Sequence, residues 1–283
     1  MRVLLLGATG MLGHVVAERL AADHEVLAGV RDVERARRHG IAGELCQVDA
    51  TAPGTAAALI ERTRPDAVVN AIGLVKQLDE ASRPVPAITV NALLPHVLAD
   101  AAARLRARLV HVSTDCVFSG VLPAPRAYTE ADAPDPADLY GRSKLLGEVH
   151  EPPAVTLRTS IIGRELDRAS GLMEWFAGQE GATLNGFTNA IFSGLTTKAL
   201  ARVIDTVITE RPDVAGLYHV AADPISKYDL LLRLRDVLGV GCEIVPVDEP
   251  RVNRALDGSR FASATGFQAP SWEEMLDEYR SAP

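Results

Sequence analysis

The residue types best suited to chemistry are a tyrosine and a lysine in the run Tyr140-Gly141-Arg142-Ser143-Lys144. Residues four apart on a helix share one face. A free phenol has a pKa near ~10, too high for useful proton exchange at neutral pH, and a neighbouring ammonium stabilises the phenolate and lowers it. The pair therefore suits proton transfer to or from a substrate oxygen, with Lys144 also able to hold a ribose. Alone, Tyr-x-x-x-Lys is a common surface pair. It gains weight from Ser113-Thr114-Asp115, which closes an apolar run upstream, because Thr114 can donate a hydrogen bond to the same oxygen. Asp115 could serve only to cap the turn there.

A second constellation lies at the start, in Gly7-Ala8-Thr9-Gly10-Met11-Leu12-Gly13 after an all-apolar strand. Gly7 allows a tight turn, Gly10 lets backbone approach a pyrophosphate, and Gly13 permits close helix–strand packing. The helix that follows presents unbonded N–H groups and a positive dipole end to an anion. The reading is dinucleotide binding. At the end of the second strand an acidic residue would favour NAD and an arginine NADP. The chain has Val30-Arg31-Asp32 there, so Arg31 favours NADP(H) and leaves NAD(H) open. The alternative makes this a solvated basic helix face with Asp32 on the ribose. Asp49, with Ala50 beside it, could meet the adenine amine or cap the next turn.

These residues need a scaffold, and the pattern supplies one. Val3–Leu6, Glu25–Val30, Glu44–Val48, Ala67–Ala71, Leu109–Ser113 and Val155–Arg158 read as buried strands. Between them lie the amphipathic stretches Met11–Ala22, Pro53–Arg64, Pro86–Arg106 and Ala137–His150. Such alternation predicts an α/β fold, a Rossmann-type doubly wound parallel sheet. The proline-rich stretch 121–136 is long enough for a functional lid. Residues 1–162 form the expected dinucleotide-binding domain, with 187–220 returning to it, and 163–186 with 221–283 form a smaller C-terminal substrate lobe. In that lobe Gly171–Gln179, Thr196–Glu210 and Lys227–Leu238 read as helices, Gly216–Val220 as a strand, and Ser271 with Glu274 as a capping box.

Composition narrows the setting. With 283 residues, 47% hydrophobic and 23% charged, the chain is globular, and a net charge of −8 without a basic stripe argues against nucleic acid and anionic membranes. Cys46, Cys116 and Cys242 are odd in number and far apart, which suggests reduced thiols, and the seven scattered histidines suggest no metal site. The N-terminal apolar run is too short for a signal peptide, and no stretch approaches the ~20 apolar residues of a membrane span. The expected location is cytoplasmic; a homodimer is left open.

Taken together, the chain resembles the extended short-chain dehydrogenase/reductase family, and within it the dTDP-4-dehydrorhamnose reductase branch. The matching elements are the glycine run at 7–13, Asn70-Ala71-Ile72-Gly73, Val90-Asn91-Ala92-Leu93-Leu94-Pro95, Ser113 to Phe118, Tyr140 to Lys144, and Leu157-Arg158-Thr159-Ser160. The resemblance implies Thr114, Tyr140 and Lys144 as catalytic, and places Asn70, Ala71, Ile72, Gly73, Asn91, Ser113 and Arg158 with the glycine turn along the cofactor. It further implies a nucleotide-linked sugar as substrate, with Lys76, Cys116 and Trp175 beside it; Ser193, Thr196 and Thr197 align with a substrate-facing stretch, although Thr197 could be a helix N-cap. Cys116 replaces a tyrosine common in the branch, and the loop with Lys76 and Gln77 and the helix with Trp175 and Phe176 resemble a subgroup acting in glycan and secondary-metabolite pathways. The implied reaction is NADPH-dependent reduction of a dTDP- or UDP-linked 4-keto-6-deoxy sugar. Two alternatives share the pattern: an epimerase or dehydratase that retains its cofactor, and a non-catalytic regulatory subunit like the one that partners methionine adenosyltransferase.

Overall fold

An unbroken apolar strand needs cover on both faces. Val3 to Leu6 has it: Val3 and Leu5 enter one core, Leu4 and Leu6 another on the opposite face. The computed structural model describes residues 1–75, 82–167 and 170–280. The first half runs β1 (Arg2–Leu6), α1 (Gly13–Ala21), β2 (Glu25–Val30), α2 (Val33–Arg38), β3 (Glu44–Gln47), α3 (Pro53–Thr63) and β4 (Ala67–Asn70). There follow α4 (Pro84–Ala87), a π-helical segment (Ile88–Leu93), α5 (Leu94–Leu105), β5 (Arg108–Val112), a 3-10 turn (Asp115–Val117), α6 (Leu139–Leu146) and β6 (Val155–Arg158). Then come β7 (Ile161–Ile162), α7 (Leu172–Ala177), β8 (Thr183–Phe187), β9 (Ala190–Phe192), β10 (Leu195–Thr196), α8 (Thr197–Thr209) and β11 (Gly216–His219). The chain ends with β12 (Ile225–Ser226), α9 (Lys227–Leu238), β13 (Glu243–Val247), β14 (Val252–Asn253), α10 (Ser259–Thr265) and α11 (Trp272–Asp277).

Seven strands form one parallel sheet in the order β11-β6-β5-β4-β1-β2-β3. The chain winds from β1 out to β3, then returns to place β4 on the other side of β1. Ligands of such sheets bind where the strand order reverses, beyond the carboxyl ends of the strands. Register brings the right residues there: Leu6 is level with Gly29 and Asn70, so Gly7, Val30-Arg31 and Ala71 leave the sheet side by side.

The remaining strands are short. β8 pairs with β13, β9 lies between β12 and β14, and β7 pairs with β10. Of the segment 187–220, β11 joins the main sheet beside β6 and α8 packs on α1, whereas β9 belongs to the small three-stranded sheet. Phe176, Leu184, Phe192 and Leu230 share a core cluster with Val3, Val16 and Leu200, so the C-terminal elements pack continuously with one face of the sheet. Stretch 121–136 is tied down rather than loose: Val121 and Tyr128 form bridges to Asn253 and Leu256, and the Tyr128 ring stacks on Phe118 at 4.0 Å.

The expected helix Pro86–Arg106 starts at Pro84 and widens in its middle. Pro95 has no N–H to give the Asn91 carbonyl. Just ahead of it, the Leu94 N–H reaches back five residues to Thr89, the π pattern. By length and composition Pro84–Leu105 could cross a membrane, contrary to the expectation that no segment does. Half of its most apolar window is nevertheless buried, with Leu94, Leu98, Ala101 and Ala102 packed onto the sheet. The helix expected at Ala137–His150 is only α6; Asp138 caps it by accepting the Gly141 N–H at 2.8 Å.

Candidate active site

β5 ends at Val112 and hands the chain to Thr114, whose extended backbone lets its hydroxyl cap the 3-10 turn by accepting the Cys116 N–H at 3.1 Å. Thr114, not Asp115, is therefore the capping residue. Its Oγ1 also donates to the buried Asp115 carboxyl at 3.2 Å. Helix α6 rests against this turn because residue 141 is glycine: a Cβ there would lie 2.2 Å from the Cys116 carbonyl oxygen. That contact brings Tyr140 beside Thr114, whose hydroxyl favours the phenolate. One helical turn on, Lys144 is buried and donates to the Val112 carbonyl at 2.7 Å.

The electrostatics differ from the simple expectation that Lys144 depresses the tyrosine. Burial pushes the Tyr140 hydroxyl well above its ordinary range, reinforced by Cys116, Asp115 and Asp138 and opposed by Thr114. Burial pushes the Lys144 ammonium down to about 8, against the charge of Glu148. A phenol held protonated at neutral pH suits a proton donor, the role a carbonyl reduction requires. Burial also raises Asp115, opposed by Arg254 and Lys227 from the C-terminal elements.

On the other side of the crevice the glycine turn has the shape of a phosphate cradle. Gly7 holds φ +88, and a Cβ on Gly13 would lie 2.0 Å from the Gly7 carbonyl oxygen, whereas one on Gly10 meets nothing closer than 3.3 Å. Helix α1 has no side-chain cap and no acidic residue in its first turn, which leaves its N-terminus open to an anion. The donor set fits a dinucleotide. Thr9, Met11 and Leu12 complete the turn. Ala71 and Ile72 lie over Gly7, and a Cβ on Gly73 would stand 4.0 Å from the Lys144 ammonium. Arg31 is exposed just past β2. Asp32 caps α2 by accepting the Arg35 N–H at 2.9 Å on one carboxylate oxygen. Asp49 accepts the Thr51 N–H and hydroxyl at 2.9 and 2.7 Å; it caps its own turn, with Ala50 half-buried beside it.

Four residues expected along the cofactor stand behind this surface instead. Asn70 is fully buried; it accepts the Ile72 N–H at 3.2 Å and meets His111 Nδ1 at 3.1 Å, which shapes the 71–73 loop. Asn91, in the π-helical segment, pins the same loop: it accepts the Leu74 N–H at 2.8 Å and donates to the Leu74 carbonyl and to Ser143. Ser113 donates to Glu148 at 2.7 Å, and Arg158 makes two 2.7 Å hydrogen bonds to the same carboxylate. Arg158 is 2% exposed, so its guanidinium belongs to a buried ion pair. Spacing could have exposed Glu148, which follows Lys144 by four residues. Nothing local points to Arg254 or Lys227.

On the expected substrate side, Cys116 flanks Thr114 at half exposure. Phe176 packs in the core while Trp175 stays 41% exposed on α7. Lys76 lies outside the described residues. Thr196, not Thr197, caps α8, and Thr197 bonds instead to the Tyr279 hydroxyl at 2.8 Å. Ser193 accepts the Leu256 N–H at 2.7 Å.

The family model described as the RmlD substrate binding domain matches residues 1–282. The chain belongs to this family. It is similar to dTDP-4-dehydrorhamnose reductase of Escherichia coli K12, 32% identical over 98% of both chains. The crystal structure of a hypothetical dTDP-4-dehydrorhamnose reductase from Sulfolobus tokodaii superimposes with a TM-score of 0.80 at 27% identity, covering 98% of each chain. A Bacillus anthracis dTDP-4-dehydrorhamnose reductase solved with NADP shares the fold, with a TM-score of 0.81 at 22% identity over 98% of each chain. As a member of the RmlD family, the chain is an NAD(P)-dependent oxidoreductase of the short-chain dehydrogenase/reductase type.

Proposed function

We propose that this protein uses NADPH to reduce the keto group of a nucleotide-linked 4-keto-6-deoxy sugar. The observation that carries the reading is the convergence of Thr114, Tyr140 and Lys144 beside the glycine cradle, with Tyr140 held as a protonated phenol. The turn at 7–13 and the N-terminus of α1 would hold the diphosphate, the 71–73 loop the nicotinamide end, and Arg31 a 2′-phosphate. NADP fits the Arg31 site, and the Bacillus anthracis relative was solved with NADP.

When bound, the cofactor supplies a hydride for the carbonyl carbon. The protein's own residues handle the oxygen. Thr114 orients it by hydrogen bonding, and Tyr140 gives its phenolic proton to the developing alkoxide. Lys144, one helical turn on from Tyr140 and close to Gly73 on the cofactor side, would then stabilise the phenolate left behind. Trp175, exposed on α7, and Cys116, beside Thr114, would contact the sugar nucleotide.

The test is incubation with NADPH and a panel of dTDP- and UDP-linked keto sugars while nicotinamide absorbance is followed. Stoichiometric NADPH consumption with one of them is expected, and Tyr140→Phe should lower kcat by roughly 10²–10⁴-fold while cofactor binding persists. Conversion of a sugar without net NADPH consumption would replace this reading with an epimerase or dehydratase.

A further inference from the structure

Glu148 lies just past the catalytic helix and is 6% exposed, in a position where a carboxylate needs compensation. Its Oε1 accepts from the Ser113 hydroxyl and from Arg158 Nε, both at 2.7 Å, and its Oε2 accepts from the Arg158 guanidinium at 2.7 Å. His150 Nε2 stands 3.8 Å from Oε2. Burial opposes ionisation of Glu148, yet the hydrogen bonds from Arg158 and Ser113, the Arg158 charge and the nearby His150 outweigh it and hold the carboxyl below its ordinary range. The charge is thus present, and two of its neighbours lead to the site. Ser113 immediately precedes Thr114. Lys144 is four residues back, and Gly147 folds the chain beneath it by returning its N–H to the Lys144 carbonyl at 3.1 Å.

The other titratable groups around Lys144 offer little counter-charge. Tyr140 is a neutral phenol, and His111 on β5 is kept neutral by burial and by the charges of Lys144 and His96. Asp115, on the 3-10 turn, is drawn toward Arg254 and Lys227. Arg158 faces Glu148 rather than Lys144. Glu148 is the group whose charge favours the ammonium.

We propose that Glu148 is a positioning residue for the reduction: one carboxylate anchors the β5 end that carries Thr114 and supplies the counter-charge that keeps Lys144 an ammonium. The role rests on the reductase reading, since a neutral Lys144 could not stabilise the Tyr140 phenolate after proton transfer. Glu148→Gln removes the charge and retains an amide that can bond to Ser113. Because it strands Arg158, the pair Glu148→Gln with Arg158→Gln is made alongside, so that a neutral hydrogen-bonded network replaces the ion pair. Ser113→Ala breaks the anchor and leaves the charge.

Two readouts apply: the pH profile of kcat, and the Lys144 side-chain carbon shift titrated by NMR without substrate. The charge of Glu148 favours the Lys144 ammonium, so its loss lowers the pKa at which Lys144 gives up its proton. The alkaline limb and the NMR midpoint should therefore both fall, by roughly one pH unit in Glu148→Gln and by less in the double variant, which also removes the opposing Arg158 charge. In Ser113→Ala kcat should fall with both midpoints unmoved. Unchanged midpoints in both Glu148 variants, or an equal displacement in Ser113→Ala, would overturn the proposal. The NMR titration decides it even if the protein reduces no keto sugar, so failure of the reductase reading stays distinguishable.

Discussion

Lys144→Met should make the protein inactive and, at neutral pH, no less stable. Lys144 is 4% exposed and burial depresses its ammonium from 10.5 to about 8. At 1.36 kcal/mol per unit, this difference means that holding the charge inside the fold costs about 3 kcal/mol at pH 7. The folded-state value lies below the unfolded one, so the associated stability is fully present above pH 10.5 and lost as pH falls through 8. Methionine removes that penalty, fills similar space, and leaves the Val112 carbonyl without its donor, a loss of roughly 1–3 kcal/mol. At pH 7 the variant should therefore match the parent or exceed it by up to about 2 kcal/mol, taking that penalty less that loss. Between pH 8 and 10.5 the balance should swing by about 3 kcal/mol in favour of the parent. Urea unfolding of both proteins at pH 7 and pH 10.5, without cofactor, measures this, and titrations common to both cancel in the difference. A stability difference that does not change with pH, or that changes with the opposite sign, would refute the reasoning.

Two further substitutions test the framework around the pair. Arg158→Met leaves Glu148 buried without its cation and should destabilise by about 3–5 kcal/mol in thermal or urea unfolding; the KM for NADPH of the folded fraction should not move, whereas a cofactor-contacting arginine would raise it. Gly147→Ala puts a methyl 1.9 Å from the Asn91 carbonyl oxygen, so α6 and the π-helical segment must separate. A loss of about 1–3 kcal/mol together with a lower kcat is expected, and a variant with parental melting temperature would show that this contact yields without consequence.

The strands were the most legible part of the sequence. The run Glu25–Val30 coincides with β2 because a strand covered on both faces is apolar beyond its exposed first residue, and that is visible without tertiary knowledge; Val155–Arg158 coincides with β6 although Thr156 and Arg158 are polar. Helix interiors were less legible. Pro95 and Asn91 together widen the helix at 88–93, a consequence of one missing N–H that hydrophobic periodicity does not register. The C-terminal elements escaped further, since β7, β10, β12 and β14 are two residues long and exist only through their partners.

For the site, residue type and local spacing were sufficient to single out Tyr140, Lys144, Thr114 and the glycine turn, because helical periodicity and the absence of a Cβ act within a few residues of chain. What side chains do at long range was not readable. Arg158, Ser113, Asn91 and Asn70 stand in motifs that suggest cofactor contact, yet the fold uses Arg158 and Ser113 on Glu148 and the two asparagines on the 71–74 loop. Burial decides these roles: a polar side chain inside the fold must find its partner there. The same burial leaves Tyr140 a protonated phenol and Lys144 a weakened ammonium. Chemistry by residue type was thus written in the sequence, while charge state and partner were set by depth, a property that belongs to the folded chain.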